Sequence, residues 1–133
     1  MFTRIHNILI AVKNVEQAEK EYTENFGLQA SRSGTRPERG VKSTLFPIGD
    51  TNLDLIEPLD PEQGPVAKFL KTRGEGVYML EVEVENLDAA VQSLKEKNVR
   101  LLGADPESRA KGGQVFIHPQ STNGVLIMVI QRP

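Results

Sequence analysis

Two stretches of the chain share one pattern of hydrophobic positions, in which an apolar strand is followed by an amphipathic helix. Residues 4–12 are apolar and rich in β-formers, and the apolar residues after them recur at helical spacing up to Phe26. Residues 77–84 begin the same pattern again at an offset of 72 positions, which aligns Asn14 with Asn86. A repeat of this length is too short for an independent domain. The pattern therefore predicts one domain made of two similar halves, with any site lying between them.

The remaining segments give each half the order β-α-β-β-β, which is an α+β arrangement. The first half is predicted to add strands at 28–33, 41–47 and 51–57. The second half is predicted to add strands at 99–102, 114–118 and 125–131. Polar segments that contain glycine are predicted to be connections, namely 34–40 in the first half and 103–113 in the second.

The ends of the helices carry recognisable signals. Asn14 offers an N-cap to the first helix, Gln17 is the reciprocal partner of a capping box, and Gly27 is a natural stop. Asn86 is the corresponding cap in the second half, and Pro65 can begin a short bridging helix. We therefore predict a single domain over 1–133, with a first module at about 1–60, a bridging segment at about 61–75 and a second module at about 76–133.

Composition excludes several classes of function. The chain is 38% hydrophobic and 26% charged, which is typical of a soluble globular protein, and its net charge of −2 comes without a basic stripe for nucleic acid. No apolar run approaches the roughly 20 residues that span a membrane, and the first residues do not resemble a signal peptide. We therefore expect a cytoplasmic location, with no nucleic acid or membrane as a partner. The absence of cysteine excludes disulfides, thiol nucleophiles and thiolate metal sites.

Alternation along the strands proposes which side chains line a cleft. In the strand at 77–84 the apolar alternate positions should lie under the helix, which leaves Met79 and Glu81 on the other face. The same parity places Asn7 on the non-helical face of the first strand. The last strand of each half adds Asp54 and Met128 to that face. If the two sheets curl toward each other, Asn7, Asp54, Met79 and Met128 converge.

Several motifs resemble the vicinal oxygen chelate superfamily, which includes glyoxalase I, bleomycin-resistance proteins and ring-cleaving dioxygenases, and within it the methylmalonyl-CoA epimerase family. The resemblance covers nearly the whole chain and implies two βαβββ modules that form a cupped, incomplete barrel. The matching motifs are Ile10-Ala11-Val12-Lys13-Asn14, the run 55–61, the run 66–70, Gly74-Glu75-Gly76, the stretch from Lys111-Gly112-Gly113 to His118-Pro119, and the run 124–127.

The departures from the family pattern concern its metal ligands. By the resemblance, the two histidine ligands fall on Asn7 and Met79, the glutamine or glutamate ligand on Asp54, and the final glutamate on Met128. A further acid–base glutamate of the epimerases falls on Ser43. Mg²⁺, Mn²⁺ and Co²⁺ favour oxygen or imidazole donors, so one carboxylate with an amide and two thioethers is a poor site. We therefore predict no metal cofactor and no metal-dependent epimerisation of the family type.

The individual residues leave alternatives open. Met79 and Met128 either fill the cleft or form a soft pocket for an acyl chain or aromatic ligand. Asn7 either binds a ligand carbonyl or satisfies a neighbouring backbone group.

Three other positions are equally open. Glu81 either forms an acid–base pair with Asp54 or is solvated or salt-bridged. His118 either contacts the acyl-CoA end of a pocket, as the resemblance implies, or stabilises its turn. Lys111, with Gly112-Gly113, either contacts phosphate or belongs to a plain loop.

Three functions are compatible with these residues. The first is a metal-free pocket protein that binds a small organic or acyl-CoA-type ligand in the central cup, with any chemistry independent of a metal. The second is an isomerase or lyase that uses Asp54 and Glu81 as its acid–base pair. The third is a non-catalytic protein that binds small molecules. The resemblance also implies a homodimer.

Overall fold

The computed structural model describes residues 1–111 and 113–133. Within these residues the strands are β1 (Arg4–Ala11), β2 (Arg32–Arg36), β3 (Val41–Ile48), β4 (Thr51–Pro58), β5 (Gly76–Val84), β6 (Leu101–Leu102), β7 (Val115–Ile117) and β8 (Ile127–Gln131). The helices are α1 (Val15–Phe26), α2 (Pro65–Arg73), α3 (Leu87–Glu96) and α4 (Pro106–Ala110), and 3-10 turns cover Pro37–Arg39 and Pro119–Ser121. The predicted α+β class is confirmed. The first half has the predicted order β-α-β-β-β, and the second half has it with α4 added between β6 and β7.

The chain divides into two compact units, which are described in turn. The first unit comprises Asn7–Tyr78, and the second comprises Met1–His6 together with Met79–Pro133. The predicted single domain and its module boundaries stay a prediction. None of the helices in the described part of the chain combines the length and the apolar character that crossing a membrane requires.

The sheet of the first unit has the strand order β2-β3-β4-β1. β1 and β4 are parallel, whereas β3 is antiparallel to both of its neighbours. Helix α1 covers one face of this sheet, where Val15 packs against Phe46 and Leu55. Tyr22 stacks on Phe46 with 5.9 Å between the ring centroids. Burial of these side chains holds the helix on the sheet, because apolar area removed from water stabilises the folded state.

Helix α1 begins and ends where the sequence predicts. The Asn14 side chain accepts a hydrogen bond from the Gln17 backbone N–H at 3.0 Å, and Gly27 ends the helix with a left-handed φ of 68°. The Gln17 amide donates to Glu21 at 3.0 Å, one turn further along the helix. In the predicted capping box the Gln17 side chain would bond the Asn14 backbone N–H, but it bonds Glu21 instead.

The sheet of the second unit has the order β5-β8-β7-β6, with β5 parallel to β8 and the other pairs antiparallel. Helix α3 covers one face, and its core includes Val82, Leu94 and Val129. The Asn86 side chain caps α3 by accepting from the Ala89 backbone N–H at 2.9 Å. The second unit therefore repeats the cap and the helix-covered face of the first.

A buried carboxylate ties the first residues of the chain to β5 within the second unit. Glu83 is 4% exposed and accepts from Arg4 Nε at 3.1 Å, and His6 Nδ1 lies 3.2 Å from the same carboxylate oxygen. The hydrogen bond from Arg4, together with the charges of Arg4 and His6, holds the pKa of Glu83 below its usual value. This ion pair gives the start of β1 a partner in the second unit.

The prediction for the second strand was wrong in position. The strand was predicted at 28–33 and the connection at 34–40, but β2 runs from Arg32 to Arg36. Its backbone pairs with β3 over its full length, from Arg32 opposite Leu45 to Arg36 opposite Val41. The reversal is confined to the 3-10 turn that begins at Pro37. Pairing with β3 therefore extends the strand into a segment whose composition alone is typical of a loop.

The predicted loop at 103–113 contains a short helix. Pro106 occupies the first turn of α4, and Asp105 caps it by accepting from the Ser108 backbone N–H at 2.8 Å. The strand before it is shorter than predicted, because only Leu101–Leu102 pair with β7. Gly112 lies outside the described residues.

Gly103 is the glycine whose replacement the structure resists most. Its φ is +72°, and a Cβ atom placed there would lie 2.1 Å from the backbone oxygen of Gln114. Gly27 has a similar φ of +68° but open space around the same position. Gly103 therefore combines a left-handed backbone with close contact to another segment.

We expect Gly103→Ala to destabilise the protein more than Gly27→Ala. The left-handed φ costs about 1–2 kcal/mol at either position, and overpacking against backbone adds roughly 1–3 kcal/mol at Gly103 alone. Urea denaturation of the two variants measures the difference. Equal free energies of unfolding would show that the segment around Gln114 moves away without cost.

Candidate functional site

The non-helical face of the first sheet carries a group of polar side chains. The parallel register pairs Asn7 with Asn52 and Leu9 with Asp54, so these residues point to the same side of the sheet. The antiparallel register pairs Ser43 with Ile56, which adds Ser43 to that side. Leu55 packs under α1 on the opposite side. The predicted parity of Asn7 and Asp54 is therefore confirmed within this unit, and the register adds Ser43 to the same face.

Asp54 is a buried carboxyl group with one short hydrogen bond. Its residue is 3% exposed, and the Ser43 hydroxyl donates to Oδ1 at 2.6 Å. Burial raises the pKa of Asp54, because a charged carboxylate is less stable away from water. The Ser43 hydrogen bond and the positive charges of Arg39, Arg32 and Arg36 act on this pKa in the opposite direction. The group therefore combines the features of a tuned acid or base with a fixed orientation.

Asn7 and Asn52 form an amide pair on the same face. Asn52 Nδ2 donates to Asn7 Oδ1 at 2.8 Å, and Asn7 is 7% exposed. The sequence left open whether Asn7 binds a ligand carbonyl or a neighbouring backbone group. The Asn52 side chain is one partner of the Asn7 amide and helps to fix its orientation. A role for Asn7 toward a ligand stays a prediction.

The sequence analysis missed three arginines. Arg32 and Arg36 pair with Leu45 and Val41, and Gly34 between them pairs with Ser43. Their side chains therefore point to the non-helical face, and Arg39 follows in the 3-10 turn. Because the strand was predicted at 28–33, the common facing of Arg32 and Arg36 was not recognised. The run of Arg32, Arg36 and Arg39 in eight residues was the available signal.

The non-helical face of the second sheet carries Met79, Glu81 and Met128. Glu81 lies opposite Met128 in the parallel register, and Met79 is two residues before Glu81 on the same side. The three residues are 7%, 2% and 3% exposed, in that order. Glu81 is therefore buried rather than solvated. Both alternatives for the methionines, cleft filling or a soft ligand pocket, stay predictions, as does the role of Glu81 as an acid–base group.

His118 and Lys111 have local partners in the second unit. His118 Nδ1 accepts from the Gln120 backbone N–H at 3.0 Å and caps the 3-10 turn, which supports its turn-stabilising alternative. The bond requires the imidazole proton to be on Nε2. The Lys111 ammonium group lies 3.0 Å from the Glu107 carboxylate and is 75% exposed. Gly112 of the predicted phosphate-binding loop is outside the described residues, so that role stays a prediction.

A cavity of about 470 Å³ opens elsewhere in the first unit. Its lining includes Lys13, Glu57, Leu59, Ala67, Leu70 and Lys71. Glu57 accepts a hydrogen bond from the Val15 backbone N–H at 2.8 Å, so it anchors the start of α1. None of the residues predicted for the site lines this cavity, and the polar face around Asp54 carries more of the relevant chemistry.

The structure brings some of the predicted residues into contact and leaves one prediction open. Ser43 and Asp54 are hydrogen-bonded, and Glu81 is beside Met128 in the sheet. The predicted convergence of Asn7 and Asp54 with Met79 and Met128 stays a prediction, because the two pairs belong to different units.

Comparison with known proteins identifies the family. The Glyoxalase/Bleomycin resistance protein/Dioxygenase superfamily matches residues 6–116. The chain belongs to this superfamily. It is similar to human mitochondrial methylmalonyl-CoA epimerase, with 35% identity over 96% of this chain and 73% of the human protein. The resemblance inferred from the sequence motifs is therefore confirmed.

Solved structures of the superfamily agree with the fold. Hypothetical protein BH1468 from Bacillus halodurans C-125 has a TM-score of 0.85 and 30% identity, covering 98% of this chain and 94% of that one. Streptomyces coelicolor methylmalonyl-CoA epimerase in complex with 2-nitronate-propionyl-CoA has a TM-score of 0.82 and 28% identity, covering 98% and 95%. The predicted glyoxalase-like fold is thereby confirmed.

The residues of this superfamily member do not fit the divalent metal that the resemblance implies. Among residues 1–111 and 113–133, no three side chains of histidine, aspartate or glutamate are grouped so that they could hold an ion. Asp54 has a hydroxyl and not a second carboxylate as its nearest hydrogen-bond partner. Met79 and Met128 offer thioethers, which are soft donors and match Cu(I) better than Mg²⁺. We derive no chemistry through a metal, and the absence of one stays a prediction.

The raised pKa of Asp54 predicts a pH dependence of stability. The folded state holds the Asp54 proton more tightly than the unfolded state, so its contribution to stability is lost as the pH rises through the folded-state pKa. As the pH rises above about 4, the usual pKa of an aspartate, we expect Asp54→Asn to lose less free energy of unfolding than the natural protein. Urea denaturation over a series of pH values measures the loss.

Asp50→Asn is the matched control, because Asp50 is an exposed aspartate in the turn that joins the same two strands. This control makes the same change of charge and should follow the natural protein. Parallel pH profiles for the Asp54→Asn variant and the natural protein would contradict the expected effect of burial.

Proposed function

We propose that this chain binds a small organic acid or acyl-CoA-type ligand, and that any reaction it performs uses Asp54 and not a divalent metal. The observation that carries the proposal is the buried Asp54 carboxyl group, hydrogen-bonded to Ser43 on a polar sheet face. Burying an ionisable group away from water is unfavourable, and such groups are concentrated at functional sites.

The class of ligand is supported by similarity. The Streptomyces coelicolor epimerase was solved with 2-nitronate-propionyl-CoA, and its fold aligns with nearly all of this chain. A methylmalonyl-CoA epimerase with a similar TM-score was solved with methylmalonyl-CoA and NH₄⁺. We extend the acyl-CoA class to this protein as a proposal. We likewise propose the homodimer that the family resemblance implies.

The chemistry proposed for Asp54 is proton transfer at the carbon next to a thioester or carboxyl group. The ionised carboxylate accepts the α-proton, and the C–H electron pair moves onto the carbonyl oxygen to give an enolate. Return of the proton to carbon completes the exchange without any other reactant. The Ser43 hydroxyl orients Asp54 by donating to Oδ1, and an elevated pKa makes the carboxylate a stronger base.

The amide pair supplies polar groups on the same face. Asn7 and Asn52 lie opposite each other in the sheet, close to the Asp54 position in the strand. Amide N–H groups stabilise a developing oxyanion when they are held in place before the reaction. We assign to this pair the orientation of the ligand carbonyl group.

The second candidate is an isomerase or lyase in which Asp54 and Glu81 divide the acid and base roles. Its support is that both carboxyl groups are buried, at 3% and 2% exposure. A non-catalytic binding protein needs neither group to move a proton. Separate substitutions of Asp54 and Glu81 distinguish the isomerase or lyase, and the non-catalytic protein, from an exchange that uses Asp54 alone.

Binding is expected to raise the thermal stability of the protein. A ligand at 100 times its dissociation constant adds about 2.7 kcal/mol to the free energy of unfolding. Thermal denaturation with propionyl-CoA, methylmalonyl-CoA and malonate measures this shift. Unchanged melting temperatures at millimolar concentrations of all three compounds would refute the ligand class.

Proton exchange is expected to depend on Asp54. Incubation of propionyl-CoA with the protein in D₂O should incorporate deuterium at the α-carbon, detected by NMR or mass spectrometry. Asp54→Asn should reduce the rate by about 10²–10⁴-fold, which is typical for loss of a positioned base. An equal loss in Glu81→Gln favours the two-carboxyl candidate, whereas exchange no faster than in buffer favours the non-catalytic protein.

Divalent metals are expected to have no effect on either property. Mg²⁺, Mn²⁺ or Co²⁺ at millimolar concentration should leave the melting temperature unchanged, because the available donors do not match hard cations. EDTA should likewise leave deuterium incorporation unchanged. Stabilisation by one of these ions, with stoichiometric metal in the purified protein, would overturn the metal-free proposal.

A further inference from the structure

We propose that Arg32, Arg36 and Arg39 form an oxyanion-binding subsite beside Asp54 and Ser43. The subsite would hold a carboxylate or phosphate group of the ligand while the neutral acyl part lies toward Asp54. This inference rests on the proposed function for its ligand. It adds the chemical feature by which the first unit recognises that ligand.

The sheet register places Arg32 and Arg36 on the required face, and Arg39 follows in the 3-10 turn. Gly34 lies opposite Ser43, and the Ser43 hydroxyl contacts Asp54. Arg32 and Arg36 are two residues before and after Gly34, so all three point to the same side of the sheet. Gly34 has no side chain, which leaves room between the two arginines in front of Ser43. Across the three strands, Arg32 is in line with Leu45 and Asp54, and Ser43 lies two residues from Leu45 on the same face.

The charge of this segment contrasts with that of the chain. Residues 31–40 hold three arginines and one glutamate, whereas the whole chain has a net charge of −2. The charges of all three arginines reach Asp54, since each lowers its pKa against the effect of burial. A ligand anion near Arg32 and Arg36 would therefore meet the positive charges of the arginines as well as the charge of Asp54.

The Arg36 side chain already binds a carboxylate. Its Nε donates to Glu38 at 2.8 Å, and the Glu38 side chain is 59% exposed. An exposed pair of this kind contributes little to stability, so a ligand anion can displace Glu38 at small cost. Glu38 therefore acts as an internal competitor for the subsite. Its removal should strengthen binding of an anionic ligand.

The chemistry of arginine favours an oxyanion with two oxygens. The planar guanidinium group matches carboxylate and phosphate geometry and remains charged at any relevant pH. An acyl-CoA ligand offers such an anion from two sources, a carboxylate on the acyl group or the phosphates of the nucleotide. The two sources share one recognition chemistry, and a pair of probes can separate them.

Lys42 provides the matched control. It pairs with Thr35 and directly precedes Ser43 in β3. Its side chain therefore points to the opposite face of the sheet, which α1 covers. Its ammonium group lies 3.5 Å from Glu16 of α1. Lys42→Gln removes one positive charge from the same strands without touching the proposed subsite.

The test is isothermal titration with malonyl-CoA and propionyl-CoA at low and high salt. The protein variants are Arg32→Gln, Arg32→Gln/Arg36→Gln, Glu38→Gln and Lys42→Gln. The double arginine variant should bind roughly tenfold or more weakly, since a charge-assisted hydrogen bond contributes about 1.5–3 kcal/mol. Lys42→Gln should stay within about twofold of the natural protein, because exposed charges contribute little. Glu38→Gln should bind more tightly, a gain that misfolding cannot produce.

The two probes identify the anion. If the arginines hold the acyl carboxylate, the variants lose affinity for malonyl-CoA and keep it for propionyl-CoA. If they hold the phosphates, both affinities fall by the same factor. Either result supports the subsite. The binding affinity should also depend less on salt concentration in the variants that lack the arginines.

Two further results would overturn it, and they differ. If the natural protein binds a probe but the arginine variants match Lys42→Gln, the subsite is wrong and the proposed function stands. If neither probe binds the natural protein at millimolar concentration, the proposed function fails and the subsite fails with it. Thermal denaturation of every variant confirms that it is folded in these comparisons.

Discussion

The register of β3 against β4 places a carboxyl group where water is largely excluded. Asp54 faces away from α1 and is met by the Ser43 hydroxyl from the neighbouring strand. An ionised carboxylate in such a position is unfavourable unless hydrogen bonds and positive charges compensate it. Ser43 provides the hydrogen bond, and the arginines of β2 and the following turn provide the charge. The polar face of the first sheet is organised around this compensation.

Each sheet separates structural from polar roles by its two faces. Under α1 and α3 the sheets present aliphatic and aromatic side chains, and these cores hold the helices in place. The opposite faces hold Asn7, Asp54 and Glu81, which are poor choices for stability alone. Within the described residues, every buried side-chain nitrogen or oxygen has a hydrogen-bond partner. The polar faces are therefore satisfied arrangements, in which each group is held in one orientation.

Membership of the superfamily makes the departures from its pattern informative. The positions at which the family resemblance implies metal ligands hold an amide, a carboxylate and two thioethers. Thioethers neither carry charge nor transfer protons, so Met79 and Met128 cannot do the chemistry of the charged or basic ligands that the resemblance implies at these positions. The carboxylate at position 54 is the member of this set that keeps acid–base capacity. Under the proposed function, guanidinium groups would supply the positive charge that stabilises an anionic ligand on this fold.

The sequence by itself determined the helix caps and the parity of the strands that lie under helices. Asn14, Asn86 and Gly27 act through backbone groups a few residues away, so local pattern was enough to identify them. Alternation also placed Asp54 and Met128 correctly, because one face of each strand must be apolar.

Only the tertiary structure decided the position of β2, and with it the direction of Arg32 and Arg36. That strand has little apolar pattern of its own, and pairing with β3 fixes its register. The helix after Asp105 was likewise hidden in a segment of loop composition. Helix caps depend on residues that are close in sequence, so they can be predicted from it. The face to which the side chains of a polar edge strand point depends on a neighbouring strand that is distant in sequence.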